Sequence, residues 1–121
     1  MRVLLVEDSP TVREVLRGSL AGLGYEIAEA CNGSQALTLL HEGTFDIVFT
    51  DLVMPEMDGY ELCEEIRRHP SHRDMPIIVL SSHQEAPYVM QALRRGADDF
   101  LVKPADPQTI ASVVARVLAH V

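Results

Sequence analysis

The alternation of short apolar runs with longer segments of helical periodicity is the feature that most constrains the fold of this chain. Apolar residues dominate segments 3–6, 45–50 and 76–81, and such continuous runs indicate strands buried on both faces. Two weaker segments, 25–28 and 100–102, complete a set of five predicted strands. A segment with helical spacing follows each strand, so the pattern predicts five strand–helix units.

The predicted helices have recognisable beginnings and apolar stripes. Ser9 followed by Pro10 is typical of a helix start, and Gly24 is typical of the residue after a helix. Further helices are predicted at about 34–40, 59–68 and about 86–95, with a final helix along a stripe ending at Val121. The first stripe comprises Val12, Val15, Leu16, Leu20 and Leu23, and the last comprises Ile110, Val113, Val114, Val117, Leu118 and Val121.

Buried strands separated by helices predict one α/β domain over residues 1–121, with no repeat or linker that would divide it. Right-handed crossovers favour a doubly wound parallel sheet with helices on both faces, a three-layer sandwich. In such a sheet, functional groups lie just beyond the carboxyl ends of the strands. The polar residues that end the predicted strands are therefore the candidate site.

The charge of the chain limits its partners. A formal net charge of -8 disfavours direct binding to nucleic acid or to anionic membranes, and it favours cations or partners with basic patches. No apolar run has the length of a membrane span. The two cysteines, Cys31 and Cys63, have no metal-ligand or redox spacing, so a reduced cytoplasmic setting is expected.

Acidic, hydroxyl and basic residues end the predicted strands and should meet at one edge of the sheet. Glu7 and Asp8 follow the first strand, and Asp51 follows the third. Ser81 ends the fourth strand and Lys103 follows the fifth. Each alone is commonly structural, but three neighbouring carboxylates repel one another unless a cation is bound. Oxygen ligands select hard cations, so the set predicts a magnesium site.

A bound cation beside a carboxylate suits phosphoryl transfer. The Asp51 carboxylate would attack phosphorus while the cation offsets charge on the equatorial oxygens. Lys103 would supply a second positive contact, and the Ser81 hydroxyl would donate a hydrogen bond to the phosphoryl group.

Four segments of this chain resemble the receiver domains of bacterial two-component response regulators, including the chemotaxis regulators. They are Val6-Glu7-Asp8, Thr50 to Pro55 with Asp58-Gly59, Leu80-Ser81-Ser82, and Gly96 to Pro104. The resemblance covers the whole chain. It implies a flavodoxin-like (βα)5 fold with strand order 2-1-3-4-5, two helices on one face and three on the other.

The resemblance also implies a role for each strand-end residue. Asp51 is similar to the acceptor that takes phosphate from a histidine kinase or a histidine phosphotransfer protein. Asp8 and Asp51 would ligate Mg²⁺ directly, Glu7 would act through water, and the backbone carbonyl of Val53 would complete the set.

Three further positions match the switch elements of the family. Ser81 and Lys103 resemble the pair that senses the phosphoryl group, and the bond from Lys103 to Pro104 is similar to one that is cis in the family. Phe100 corresponds to the switch aromatic. Phosphorylation would then alter the surface formed by helix 4, strand 5 and helix 5, which would control an output domain, a partner protein or a homodimer.

The resemblance further implies that Val53, two residues past Asp51, and His83, two past Ser81, flank the path of water that would attack the phosphorylated aspartate. We hypothesise that the apolar side chain of Val53 slows hydrolysis by crowding this water.

Three alternatives share parts of the pattern. A small phosphohydrolase of the aspartyl-phosphate type uses similar chemistry but needs an acid two residues after its nucleophile, where this chain has Val53. A flavin- or nucleotide-binding module needs a phosphate-binding loop after strand one, where Glu7 and Asp8 stand. A purely structural relative of receivers would lack the acceptor, metal or lysine position. His69 and His72 could suggest a metal pair, but they lie in a polar loop beside Pro70 and are interpreted as solvated, and His41 is interpreted as a surface residue.

Overall fold

The computed structural model describes residues 1–82 and 86–119, in which five strands alternate with five helices. The strands are β1 Arg2–Val6, β2 Glu26–Ala30, β3 Ile47–Asp51, β4 Ile77–Ser81 and β5 Asp99–Val102. The helices are α1 Pro10–Gly22, α2 Gly33–Glu42, α3 Gly59–Arg68, α4 Ala86–Arg94 and α5 Pro107–Leu118.

All strand pairs are parallel, and the sheet order is β2-β1-β3-β4-β5, which confirms the predicted doubly wound topology. Strands β3 and β4 are buried throughout, as their uninterrupted apolar sequences require. The edge strand β2 has only one fully buried residue, Ala30, which explains its weaker sequence pattern.

The core consists of two apolar layers separated by the sheet. On one side, Leu40 of α2, Ile66 of α3 and Val89 of α4 pack against the sheet. On the other side, helices α1 and α5 contribute Leu16 and Val113 to the second layer. The division into three helices and two helices agrees with the expectation from the family resemblance.

Two residues assigned to the apolar stripes do not belong to the core. Val15 of α1 is 57% exposed and Leu118 of α5 is 36% exposed, because the helices contact the sheet along a narrower face than the sequence suggested. Val121, His120 and His83 lie outside the described residues. Among residues 1–82 and 86–119, no helix has the length and hydrophobicity required to span a bilayer.

Helix boundaries follow from local capping. Ser9, Asn32, Asp58 and Asp106 each accept a hydrogen bond from a backbone N–H in the first turn of the helix that follows. Pro10 and Pro107 occupy the first turns of α1 and α5, where a missing N–H is tolerated. These caps place the helix N-termini at the same edge of the sheet as the strand carboxyl ends.

Candidate functional site

Three carboxylates meet at the carboxyl edge of the sheet. Glu7 and Asp8 follow β1, and Asp51 is the last residue of β3, which pairs with β1 in parallel register. One oxygen from each of the three residues lies within 4.8 Å of the others. Glu7 is 1% exposed and Asp51 is 5% exposed, whereas Asp8 is open to solvent. The structure therefore brings together the acidic trio predicted from the strand ends.

Lys103 lies between the two buried carboxylates. Its ammonium Nζ is 3.1 Å from Oε1 of Glu7 and 3.2 Å from Oδ1 of Asp51. The backbone N–H of Lys103 donates to the carbonyl of Ser81 at 2.7 Å, which holds the lysine beside the end of β4. The bond from Lys103 to Pro104 is cis, as the resemblance implied. Burial lowers the pKa of Lys103, but the carboxylates of Asp51 and Glu7 outweigh it and raise the pKa above its ordinary value.

Burial and a neighbouring carboxylate both affect the protonation of Glu7. Burial, together with a hydrogen bond to Asp51 and the negative charge of Asp51, raises the pKa of Glu7 from 4.5 to about 7, although Lys103 acts in the opposite direction. One ammonium therefore does not neutralise the pocket. An added cation is favoured there because it would allow Glu7 to ionise.

Ser81 is placed near the site but makes no bond within it. The residue is fully buried, and its Oγ has no hydrogen-bond partner in the described part of the chain. A buried hydroxyl without a partner is unusual in proteins and suggests a group that acquires one in another state. Its role as a donor to a phosphoryl group stays a prediction.

The loop after Asp51 is fixed by the start of α3. Gly59 N–H donates to the carbonyl of Leu52 at 2.8 Å, and Asp58 caps the helix. The backbone N–H of Leu52 donates to Oδ1 of Asp51 at 2.9 Å, which orients the carboxylate. Glu56 has a φ of 69°, so the chain turns sharply between Asp51 and α3. Val53 lies in this turn with its side chain 65% exposed.

Phe100 lies on β5 and is 39% exposed. The neighbouring Asp99 forms an ion pair with Arg116 of α5 at 2.7 Å. Tyr88 and Met90 of α4 are also exposed apolar side chains. The surface of α4, β5 and α5 therefore carries exposed apolar side chains.

The sequence did not predict the contact of Arg13 with the acidic site. The guanidinium Nη1 of Arg13 donates to the backbone carbonyl of Glu7 at 2.8 Å, and its Nε forms an ion pair with Glu29 at 3.3 Å. The contact links α1 to the acidic loop and to β2. An arginine one turn into the first helix was the only sequence signal, and such arginines are too common to be informative.

A family model for the response regulator receiver domain matches residues 3–115. The receiver domain of the sensor histidine kinase PA1611 from Pseudomonas aeruginosa, solved with a magnesium ion in its active-site cleft, is 30% identical with a TM-score of 0.88. The match covers 98% of this chain and 97% of that one. Chemotaxis protein CheY4 of Vibrio cholerae is 31% identical with a TM-score of 0.88, over 96% and 97% of the two chains.

Curated relatives include longer proteins. The protein of Cyanidium caldarium named "Probable transcriptional regulator ycf27" is 34% identical over 119 residues, which are 98% of this chain and 47% of that protein. This chain thus spans about half the length of such relatives. The fold and the acidic edge of the sheet are those of a signalling domain of the receiver type. The chain belongs to the response regulator receiver domain family.

Proposed function

We propose that Asp51 is the phosphoryl acceptor of this receiver domain, in a reaction that depends on Mg²⁺. The observation that carries the proposal is the arrangement of Asp51 beside Glu7 and Asp8, with the Lys103 ammonium 3.2 Å from its carboxylate. The donor is proposed to be a sensor histidine kinase or a histidine phosphotransfer protein. Membership of the receiver family and the acidic trio both support this assignment.

The residues present fit a magnesium ion. All three side chains offer carboxylate oxygens, which Mg²⁺ prefers. Burial and the neighbouring Asp51 raise the pKa of Glu7, so its ionised form needs a further cation. Asp8 and Asp51 would hold the ion directly, Glu7 through water, and the carbonyl of Val53 would complete the set. A bound ion would supply positive charge that screens the incoming phosphoryl oxygens from the carboxylates. The magnesium in the cleft of the PA1611 receiver supports the same assignment.

The chemical step is a substitution at phosphorus. A carboxylate oxygen of Asp51 forms a bond to phosphorus while the bond to the donor nitrogen breaks, and the bonding electron pair leaves with the donor imidazole. The product is an acyl phosphate on Asp51. The Lys103 ammonium contacts the transferred group, since it already lies within hydrogen-bonding distance of the acceptor oxygen.

The switch is proposed to begin at Ser81. Its unpartnered Oγ would donate to a phosphoryl oxygen, which pulls the end of β4 towards Asp51. Phe100 would then move from its exposed position into the space vacated, and the surface of α4, β5 and α5 would change. A coupling free energy of about 1–3 kcal/mol between phosphorylation and this surface is enough to signal. An output domain, a separate partner or a second copy of the chain would recognise the altered surface.

The test is phosphorylation by a small donor. Incubation with Mg²⁺ and acetyl phosphate, followed by intact-mass measurement, should add one phosphoryl group to the wild type and none to Asp51→Ala. The matched control Asp58→Asn keeps a helix cap and should be phosphorylated normally. Equal modification of Asp51→Ala, or of wild type in excess chelator, would contradict the proposal.

The hydrolase alternative predicts continuous turnover of the donor. The acid position that it requires is occupied by Val53, an exposed apolar residue that cannot transfer a proton. We therefore propose that the domain catalyses only its own phosphorylation and a slow loss of phosphate. Phosphate release far in excess of protein, within the time needed to label Asp51, would instead support the hydrolase.

A further inference from the structure

Three histidines that are far apart in the sequence form a cluster on the described surface. His41 lies in the last turn of α2, His69 is the residue after α3, and His72 lies in the loop before β4. The ring centroid of His69 is 4.7 Å from those of His41 and His72, and His41 and His72 are 5.6 Å apart. One ring nitrogen from each residue lies within 4.8 Å of the others.

This histidine cluster is distinct from the acidic site. Helices α2 and α3 run antiparallel to the strands, so their carboxyl ends reach the edge of the sheet opposite to Asp51. The side chains of the acidic site offer carboxylate oxygens, whereas those of the cluster offer imidazole nitrogens. The two sites should therefore select different metals: hard cations at the first, and borderline cations such as Zn²⁺ at the second.

His72 provides the observation that points to a ligand. Its Nε2 is buried and has no hydrogen-bond partner among the described residues. An isolated buried ring nitrogen normally finds a donor or an acceptor, and a metal ion would satisfy it.

We propose that His41, His69 and His72 bind one Zn²⁺ ion, with water in the fourth position of a tetrahedral site. Three imidazoles with an open position are an established zinc ligand set, with Zn–N distances of about 2.0–2.1 Å. Nitrogens bound to one such ion lie about 3.3–3.4 Å apart, and the three ring nitrogens here already lie within 4.8 Å of one another. Rotation of the rings adjusts the remaining distance. The ion would clamp the end of α2 to the connection between α3 and β4.

His69 must give up its hydrogen bond from Ser71 to join the site. Its Nδ1 accepts a hydrogen bond from Ser71 N–H at 3.2 Å, which places the ring proton on Nε2. Ligation through Nε2 moves that proton to Nδ1 and breaks the contact with Ser71. Ligation through Nδ1 displaces Ser71 directly. In both cases the Ser71 amide should report zinc binding.

The test is zinc titration of tag-free protein by calorimetry in excess Mg²⁺, which occupies the acidic site. Wild type should bind one Zn²⁺ and gain thermal stability. Loss of one ligand in His41→Ala or His72→Ala should weaken binding by at least about a hundredfold, since loss of an outer-shell partner alone typically costs about 10–100-fold. Asp8→Asn, which alters only the acidic site, should bind Zn²⁺ as the wild type does.

An amide spectrum provides a second measurement should either histidine variant prove unstable. Zinc should shift the Ser71 amide resonance of the wild type at one equivalent, while amides beside Asp51 stay in place. Zinc affinity that is unchanged in both histidine variants would overturn the proposal. Loss of zinc binding in Asp8→Asn, or an unmoved Ser71 amide at saturation, would do the same.

Discussion

Gly59 lies against the backbone of Asp51, the proposed phosphoryl acceptor. A Cβ atom built on Gly59 would be 2.4 Å from the carbonyl oxygen of Asp51 and 2.8 Å from Cα of Leu52. Both obstacles are backbone atoms at the buried end of β3, so they cannot rotate away as a side chain could. The start of α3 thus approaches the backbone of Asp51 as closely as only glycine allows.

Gly59→Ala should therefore destabilise the domain. We expect the free energy of unfolding to fall by about 1–3 kcal/mol, as overpacking in a close-packed region generally costs. Urea denaturation measures this change. Gly18→Ala is a matched control because no atom lies within 4 Å of a Cβ at that position in α1, and alanine favours helices. An equal loss of stability in the two variants would contradict the steric argument.

Lys103→Met should separate metal binding from phosphorylation. The Lys103 ammonium forms ion pairs with the carboxylates of Glu7 and Asp51, so its positive charge repels an incoming Mg²⁺ ion. Its removal should increase Mg²⁺ affinity by several-fold, because the repulsion between two charges at close range in a polar site is roughly one kcal/mol. Phosphorylation by acetyl phosphate should nevertheless slow by about tenfold or more, since one contact to the transferred group is lost. Calorimetry and intact-mass kinetics measure the two effects, and a parallel change in both would be evidence against the assigned roles.

Mg²⁺ affinity should rise with pH through neutrality. Glu7 has a pKa of about 7 in the folded protein against an ordinary 4.5, so below pH 7 it holds a proton that must leave when the cation binds. Without Mg²⁺, the contribution of Glu7 to folding stability changes with pH in the opposite direction. The raised pKa favours the fold at low pH, and this contribution is lost as pH rises from about 4.5 through 7.

Titrations with Mg²⁺ at several pH values between about 5.5 and 8.5 check this dependence around the ordinary and shifted pKa values of Glu7. Glu7→Gln serves as the control, since it removes the titrating group and should flatten the profile. An affinity independent of pH in the wild type would mean that Glu7 is already ionised without the cation.

Ser81→Ala should stabilise the unphosphorylated domain. The buried Oγ has no partner among the described residues, so removing the hydroxyl eliminates an unpaired polar group and should raise the free energy of unfolding by about 1 kcal/mol. Thr50→Val offers the opposite case, because the Oγ1 of Thr50 donates to the carbonyl of Asp51 at 3.0 Å in the buried core. That variant should lose about 1 kcal/mol. Unfolding curves that shift in the same direction for both would exclude this account of Ser81.

Val53→Asn should accelerate loss of phosphate from Asp51. The valine side chain is exposed beside the acceptor loop, and an amide in its place can orient the attacking water. Timed intact-mass spectra of phosphorylated protein after donor removal give the rate. Val53→Ile, which keeps the apolar crowding, should retain the slow wild-type loss. A rate in Val53→Asn equal to or below that of wild type would contradict the hypothesis.

Sequence periodicity predicted the bounds of an element best where a local signal, such as a helix cap, coincides with burial of the element in the core. The predicted range of α3, 59–68, is the observed one, because Asp58 caps its start and a core-facing stripe runs through Leu62, Cys63 and Ile66. The bounds of β2 were displaced, since an edge strand is only partly buried and its pattern is weak. Val15 appeared to belong to the core because its spacing is helical, yet spacing cannot reveal how wide a face the sheet covers.

Local pattern and strand-end chemistry determined the fold class and the acidic site of this protein. Parallel topology leaves few places for residues that end buried strands, so Glu7, Asp8, Asp51 and Lys103 had to converge. Only the tertiary structure decided which contacts form there. It placed Lys103 between two carboxylates, left Ser81 Oγ unpaired, and joined His41 to His69 and His72. Such contacts depend on how separate elements pack, and packing distances of a few ångströms are not encoded in the spacing along one segment.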